Sequence, residues 1–584
     1  MSEQTNHTHT SEIIVLKFGS SVLRDESDLP RVVHEIYRAW RTGRRVLAVV
    51  SAFGNMTDEL LRRAESLCEQ PEQSALAALL ATGEATAAAL LGLSLSRAGI
   101  PFRVLDPAQA GLRTIGDHLD AELVGVDAGR LRNELQRAVV VLPGFVGRDE
   151  AGAATLLGRG GSDFTALFLA HKLGGCCVLV KDVDGIYTSD PARSGARPLR
   201  FAEATYETAC RVGDRVVQAK AVRFAAARGL RFNVTAIGAT SETKIGSKVD
   251  RLAGSETSAA ALRVALLGCG TVGGGVYQRL AALPELFTVA GVATRTLAHA
   301  RAAGVPEHRI TSDLEALIEQ QCDVVVELIG GTERAFELVA KALRTGKHVI
   351  TANKAMLATK GGVLERIAAE NGVTLRYSAA VGGALPALEV VAQARECGAL
   401  RGFSGVLNAT CNFVLDRIAT GADLAAAVRA AQANGYAEAD PTLDLDGTDA
   451  AQKLILLARR AFDVAVPFDA IAREGIECVD SSWVREARER GNSVRLVAAC
   501  RRTAHGLQAS VAPLELSHAH PLASVKGAEN RLMIESEGGK ILLVSGTGAG
   551  RWATTEAVIG DLLEARHALC AARDEQFILE ECVA

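Results

Sequence analysis

The 584-residue chain has no surplus of charge: 64 Lys and Arg stand against 68 Asp and Glu, a formal net charge of -4. So small a balance excludes an overall basic protein, and nothing in it suggests a nucleic-acid or acidic-lipid partner. Paired metal-ligand spacing is missing among the 12 cysteines. The one adjacent pair, Cys176 and Cys177, lies in an apolar run, CCVLV, that reads as a buried strand. Scattered thiols in a long chain suit a reducing, cytoplasmic compartment. The opening residues, MSEQTNHTHTSE, lack a basic-then-apolar leader. His7 and His9 there are expected to belong to a disordered tail, residues 1–11, and not to a metal site. No apolar stretch is expected to reach the roughly 18 residues that span a bilayer. Tandem repeats and low-complexity tracts are absent.

What is present is a globular composition, 48% apolar and 23% charged. At ~100–200 residues per domain, the length predicts three or four folding units. The runs IIVLKF, RRVLAVVS, AVVVLPGF and CCVLVKDVDG are short and β-branched, as buried parallel strands are. Ala/Leu-rich helical stretches such as SALAALLATGEATAAALLGLSLSRAG separate them, so the fold class is α/β. The pattern stops near 250, where DRLAGSETSAAA predicts a linker over 250–261. It restarts as strand, Gly-rich turn and helix in LRVALLGCGTVGGGVYQRL. Another change comes near Pro386, where GALRGFSGVLNATCNFVLDRIA opens a new strand and helix set.

Gly268, Gly270 and Gly273 form a G-x-G-x-x-G between a strand and a helix. In that setting the first glycine allows a tight turn, the second lets the backbone approach a pyrophosphate, and the third lets helix and strand pack closely. Thr271 and Val272 open the helix whose N-terminus faces the anion. An acidic residue ending the second strand, FTVAGVATR, would select NAD. Thr294 and Arg295 stand there instead, and an Arg can pair with a 2′-phosphate, so NADP is favoured and NAD stays open.

The segments DVVVELIGG, HVITANKAML, GYAEADPTLDLDGTDAAQK and GTGAGRWATTEAVIGDLL resemble homoserine dehydrogenases in their usual order, over about residues 262–580. The resemblance implies a Rossmann domain over 262–385, completed by 543–584, and an α+β catalytic and dimerisation domain over 386–542. It also implies reversible reduction of aspartate semialdehyde to homoserine. Asp449 and Lys453, spaced i, i+4, share one helix face. On a solvated helix such a pair is worth only about 0.3–0.5 kcal/mol. Here Glu438, Asp440, Asp444 and Asp446 crowd the same stretch, and a Lys held among carboxylates can give and take the proton that carbonyl reduction needs. By resemblance, Lys453 transfers the proton and Asp449 orients it or the substrate. Glu438 and Asp444 bind the substrate ammonium and hydroxyl, and Lys354 stands between nicotinamide and substrate. Glu327 ends a strand near the cofactor, with a structural role equally open. The loop YSAAVGGALP, with Val381, matches a sodium or potassium site, although Ser378 stands where a carboxylate is common.

The first half, 12–249, resembles the amino-acid kinase α/β/α sandwich, and within it aspartokinase. The matching segments are VLKFGSSV, VVSAFGNMTDELL, LATGE, LPGFVGRDEAGAATLLGRGGSDFTA and KDVDGIYTSDP. Phosphoryl transfer is mostly positioning and charge compensation. Lys17 can supply a cation, and the glycines 158, 160 and 161 around Arg159 free amides for an anion nest. By resemblance, Glu84 meets the aspartate ammonium, Arg159 its carboxylate, and Thr57 and Ser162 line the same site. Asp163 orients Lys17. Gly19, Asp182, Tyr187, Arg193 and Arg215 serve ATP, which magnesium accompanies. The segment departs from its relatives in KFGSSV, in Lys181 where a threonine is usual, and in Arg215 where a lysine is usual. A scaffold or sensor without turnover, or a kinase for another acid, therefore stays open. The short linker leaves no room between the halves for the paired ACT domains usual in such fusions, so the usual feedback by threonine or lysine is expected to be lacking. Both families assemble as dimers, so a homodimer or homotetramer is expected.

Overall fold

The computed structural model describes residues 13–190, 198–213, 216–253 and 261–583, with 571–583 as backbone alone. The tail expected over 1–11, Arg193 and Arg215 lie outside the described residues. The chain folds as two units, drawn mainly from residues up to 259 and from 260 onward.

The main sheet of the first unit has nine strands, β1 (Ile13–Phe18), β2 (Arg45–Val50), β3 (Phe102–Val104), β4 (Val139–Pro143), β5 (Cys176–Lys181), β6 (Phe201–Ala204), β7 (Phe232–Ala236), β8 (Thr243–Ile245) and β9 (Arg251–Leu252). Their order across the sheet is β9-β6-β8-β7-β5-β1-β2-β4-β3. β1 pairs in parallel with β2 and β5, and all three are apolar along most of their length, as strands covered on both faces are. The helices that carry candidate residues are α1 (Met56–Leu67), α2 (Gln73–Arg97) and α3 (Gly161–Leu173).

Two expectations change here. The predicted linker begins too early, because Arg251–Leu252 pairs antiparallel with β6 as an edge strand. A two-residue strand carries no periodicity, so composition could not reveal it. Secondly, α2 is long and apolar enough to cross a membrane by length and composition. Its apolarity comes from alanine-rich turns, half of that stretch is buried in the protein, and Glu84 on it is buried too.

The second unit contains a six-stranded parallel sheet, β10 (Leu262–Leu267), β11 (Phe287–Ala293), β12 (Ile310–Thr311), β13 (Val324–Glu327), β14 (His348–Thr351) and β15 (Leu375–Arg376), in the order β12-β11-β10-β13-β14-β15. That doubly wound order places a crevice beyond the strand ends where β10 meets β13. The helix α4 (Thr271–Ala281) follows β10, and α5 (Lys354–Glu370) follows β14. The short helix α6 (Ser378–Gly382) leads to a second, mostly antiparallel sheet. Its strands are β16 (Leu400–Val406), β17 (Ala472–Arg473), β18 (Asn492–Thr503), β19 (Gly506–Ser517), β20 (Glu529–Ser536) and β21 (Ile541–Thr547), ordered β17-β19-β18-β16-β20-β21. The helices α7 (Ala409–Ala419), α8 (Thr442–Leu445) and α9 (Thr448–Phe462) lie between β16 and β17 in the chain. Ala557, Val558, Ile559 and Leu562 of the last helix, Arg551–Val583, return to the core under β10 and β11. The return therefore starts after β21, which pairs with β20, and not at 543 as the sequence suggested.

Candidate functional site

The crevice of the second unit is shaped by backbone. Gly268 has φ +100°, and a Cβ there would meet the Leu328 carbonyl oxygen at 2.5 Å. A Cβ on Gly273 would meet the Gly268 carbonyl oxygen at 2.1 Å, so α4 can close on the turn only because both are glycine. At Gly270, in contrast, nothing lies within 4 Å of a Cβ. This glycine leaves space at the start of α4, which has no side-chain cap on its first amides. Open space beside free helix amides fits a pyrophosphate. Thr271 is exposed and Val272 half-buried in the first turn of α4. Arg295, just past β11, is exposed and makes no ion pair among the described residues.

Glu327 ends β13, fully buried. Its carboxylate accepts hydrogen bonds from the amides of Ile329 (2.9 Å) and Gly330 (3.3 Å) and from the Thr351 hydroxyl. Burial raises its pKa. Its contacts are those of a post that holds the loop packed against Gly268.

Lys354, Asp449 and Lys453 come together, although α5 and α9 are far apart in the chain. Asp449 Oδ1 lies 3.0 Å from Lys354 Nζ, and its Oδ2 lies 2.8 Å from Lys453 Nζ. Lys453 Nζ also donates to the Leu407 carbonyl at 2.7 Å. Burial alone would push the Asp449 carboxyl up, but the Lys453 and Lys354 cations outweigh it and hold the group well below the carboxylate range. Asp449 in turn raises the Lys354 pKa, with burial acting against it and Asp444 and Glu438 adding to it. Lys354 keeps 40% of its side chain exposed, so this cation faces the open side of the cluster.

Asp444 accepts from Asn408 Nδ2 (2.7 Å) and from the Thr410 hydroxyl (3.1 Å). Burial, then the charge of Asp449, raises its pKa. Glu438 is exposed in the loop before α8. Asn408 went unrecognised in the sequence. Its Nδ2 also reaches Asp449 Oδ2 at 2.9 Å, and its Oδ1 caps α7 by accepting from the Cys411 amide at 2.7 Å. One amide thus fixes both carboxylates. The available signal was an Asn directly before a helix, in VLNATC, which marks a cap and says nothing of what its amide reaches.

Val381 is buried in α6. The Ser378 hydroxyl bonds to Glu389 and to Asp561 Oδ1 (2.9 Å), so carboxylates reach this position from other elements. Among the described residues no group of three or more His, Cys, Asp or Glu is arranged to hold a metal ion.

In the first unit, Lys17, Asp163 and Glu84 are all buried. Lys17 Nζ lies 2.7 Å from Asp163 Oδ1. A side chain at Gly19 would meet that ammonium, its Cβ only 2.9 Å away. Lys181 Nζ approaches the other oxygen, Asp163 Oδ2, at 2.9 Å. Burial would push Asp163 up, but Lys17 and Lys181 together lower its pKa. Glu84 accepts from the Ala52 amide at 3.3 Å through Oε1, while Oε2 is buried with no partner. Burial pushes its pKa up to about 7. A buried carboxylate oxygen left open fits an incoming ammonium. Arg159 is exposed on the turn between Gly158 and Gly160, and its guanidinium pairs with no described group. Ser162 is buried in the first turn of α3, and Asp182 is exposed after β5. Tyr187 donates to Asp184 at 2.6 Å, which ties down the loop after β5. Thr57 is half-buried on α1 and makes no hydrogen bond to this cluster among the described residues.

Family models match three stretches of the chain: the amino acid kinase family over residues 12–230, the homoserine dehydrogenase NAD binding domain over 268–378, and homoserine dehydrogenase over 386–563. The homoserine dehydrogenase of Corynebacterium glutamicum is 37% identical over 320 residues, 52% of this chain and 72% of that protein. That of Pseudomonas aeruginosa is 36% identical over 318 residues, 53% and 73% of the two chains. A homoserine dehydrogenase structure from Thiobacillus denitrificans is similar with a TM-score of 0.51 and 34% identity, over 53% of this chain and 74% of that one.

Proposed function

Because the chain belongs to the homoserine dehydrogenase family and carries an amino acid kinase family domain ahead of that match, we propose that it has two activities. One interconverts L-homoserine and L-aspartate 4-semialdehyde with a nicotinamide cofactor. The other transfers the γ-phosphoryl group of ATP, as its magnesium complex, to L-aspartate. The products do not pass directly from one site to the other, because an acyl phosphate must be reduced to the aldehyde in between.

The observation that carries the first activity is the Lys354–Asp449–Lys453 cluster, with Asn408 bridging Asp449 and Asp444. Reducing an aldehyde takes a hydride at carbon and a proton at oxygen. Gly268, Gly270 and Gly273 would hold the dinucleotide, which when bound would supply or accept the hydride. Lys453 holds a proton at Nζ, oriented by Asp449 and the Leu407 carbonyl, and delivers it to the carbonyl oxygen. In the oxidative direction the same amine takes the hydroxyl proton. Asp444 and Glu438 supply negative charge for the substrate ammonium and acceptors for its hydroxyl, and Lys354 presents positive charge at the open side. The exposed, unpaired Arg295 favours NADP over NAD. A sodium or potassium ion at the loop around Val381 rests on the likeness of that loop alone, since no group of three or more acidic side chains is arranged among the described residues to hold a metal ion. The scattered free thiols support a cytoplasmic location.

The second activity is supported by Lys17 on Asp163, by the open oxygen of Glu84 and by the unpaired Arg159. Together they offer a cation for phosphate, a carboxylate for an ammonium and a guanidinium for a carboxylate.

The test measures homoserine oxidation with NADP and with NAD, and ATP-dependent aspartyl hydroxamate formation, on the same purified protein. Lys453→Ala is expected to lower homoserine oxidation by ~10²–10⁴-fold and leave hydroxamate formation intact. Lys17→Ala is expected to do the reverse. Absence of hydroxamate with aspartate, while homoserine is oxidised, would overturn the second assignment alone.

A further inference from the structure

Lys181 ends β5 at the same C-terminal strand end as Lys17, which lies one residue short of the end of β1, and the two strands run parallel side by side in the middle of the sheet. Both ammonium groups share one carboxylate, Lys17 on Asp163 Oδ1 at 2.7 Å and Lys181 on Asp163 Oδ2 at 2.9 Å. Lys181 and Asp163 are 9% and 3% exposed. Two buried cations on one buried anion leave an excess positive charge. An ion pair that served stability alone would need a single lysine, since a second buried charge costs desolvation and repulsion. Burial, then the Lys17 charge, lowers the Lys181 pKa to about 8, with Asp163 only partly offsetting them. Among the described residues no further anion is in contact, though Asp182 raises the Lys181 pKa and the Glu84 carboxylate feels the Lys17 charge. Asp182, next in the chain, is exposed, and β7 on the far side contributes Ala236 and Thr235.

The excess charge also sits where an anion would be received. Asp163 is in the first turn of α3, a 13-residue helix that starts after Gly160 without a side-chain cap. Strand ends, a helix N-terminus and an unbalanced pair of ammonium groups thus converge.

Resting on the kinase reading above, we propose that Lys181 is a second phosphoryl-site cation, which together with Lys17 stabilises the charge that develops on the transferring γ-phosphoryl group of ATP. In that step an acceptor carboxylate oxygen bonds to the γ-phosphorus as the bond from that phosphorus to the β–γ bridging oxygen breaks. ADP leaves with the electron pair, and no proton need move. Charge grows on the bridging and equatorial oxygens, which is where two ammonium groups flanking one carboxylate act. Asp163 positions both cations.

The experiment uses the full chain with Lys181→Met and Lys181→Arg. Calorimetry reads the affinity for magnesium-ATP and magnesium-ADP, kinase kcat and kcat/KM for ATP are followed against pH, and homoserine oxidation reports folding. Lys181→Met is expected to weaken ATP by about tenfold or more while ADP binding holds, one factor of ten being 1.4 kcal/mol. Its kcat is expected to fall ~10²-fold. The wild-type kcat/KM for ATP is expected to decline above about pH 8, as Lys181 of the free enzyme loses its proton. Lys181→Arg, which stays charged, is expected to lack that decline. Unchanged discrimination between ATP and ADP in Lys181→Met, or an alkaline decline that persists in Lys181→Arg, would overturn the proposal. A wild-type chain that binds ATP and phosphorylates another carboxylate but not aspartate refutes the choice of acceptor alone, and one that binds ATP and phosphorylates neither overturns the role in transfer. A wild-type chain that binds no ATP overturns both.

Discussion

At the scale of single residues, burial without a partner is the most informative property of this chain. Glu84 is 3% exposed, with one oxygen unpaired and a pKa raised to about 7. In an unfolded chain the same group titrates near its ordinary 4.5. Between those values the folded state keeps a proton that the unfolded state has lost, so stability falls as pH rises through that window. The isosteric Glu84→Gln has no proton to lose. Thermal unfolding is therefore expected to show the variant about as stable as wild type near the lower end of the window and more stable at pH 8, by on the order of 3 kcal/mol at most. Aspartate half-saturation should rise about tenfold or more at the same time. A variant less stable than wild type at pH 8 would mean that Glu84 is paired and structural. Asp449 shows the opposite case, an equally buried carboxylate held ionised by two lysines.

At the scale of elements, the turn from β10 into α4 separates two jobs that glycine performs. Gly268 is needed by the fold, because its positive φ and the Leu328 carbonyl leave no place for a Cβ. Gly270 is at φ -78°, which any residue adopts, and has free space around it. Gly270→Ala is therefore expected to keep the wild-type melting temperature and to weaken dinucleotide binding by about tenfold or more, read by fluorescence titration. Gly268→Ala is expected to lower stability by roughly 1–3 kcal/mol as well. Equal loss of stability in both would show that Gly270 is also a requirement of the fold. The helices α7 and α9 are held on a similar principle, since the cap of α7 is the same Asn408 that fixes Asp449.

At the scale of the whole molecule, β21 ends its sheet with Ile541 and Leu543 on one face, 55% and 45% exposed. An edge strand that leaves apolar residues in water is a surface for self-association. Sedimentation of the purified chain is expected to give a dimer or tetramer. Ile541→Lys combined with Leu543→Lys is expected to shift it to a smaller species, with homoserine oxidation measured in parallel. A wild-type monomer would remove this strand as an explanation of assembly.

The alternation of strands and helices, the glycine turn and the shared face of Asp449 and Lys453 were legible in the sequence because backbone geometry repeats over a few residues. Strand period, helix period and turn conformation need no knowledge of distant neighbours. The same local logic failed at Arg251–Leu252, too short to show a period, and at residue 543, where one strand continues through the predicted boundary. Lys354 on Asp449, Asn408 across two carboxylates, and Lys181 beside Lys17 depend on which helix and strand ends meet. Only packing and chain connectivity decide that meeting, so those groups come together in the tertiary structure alone.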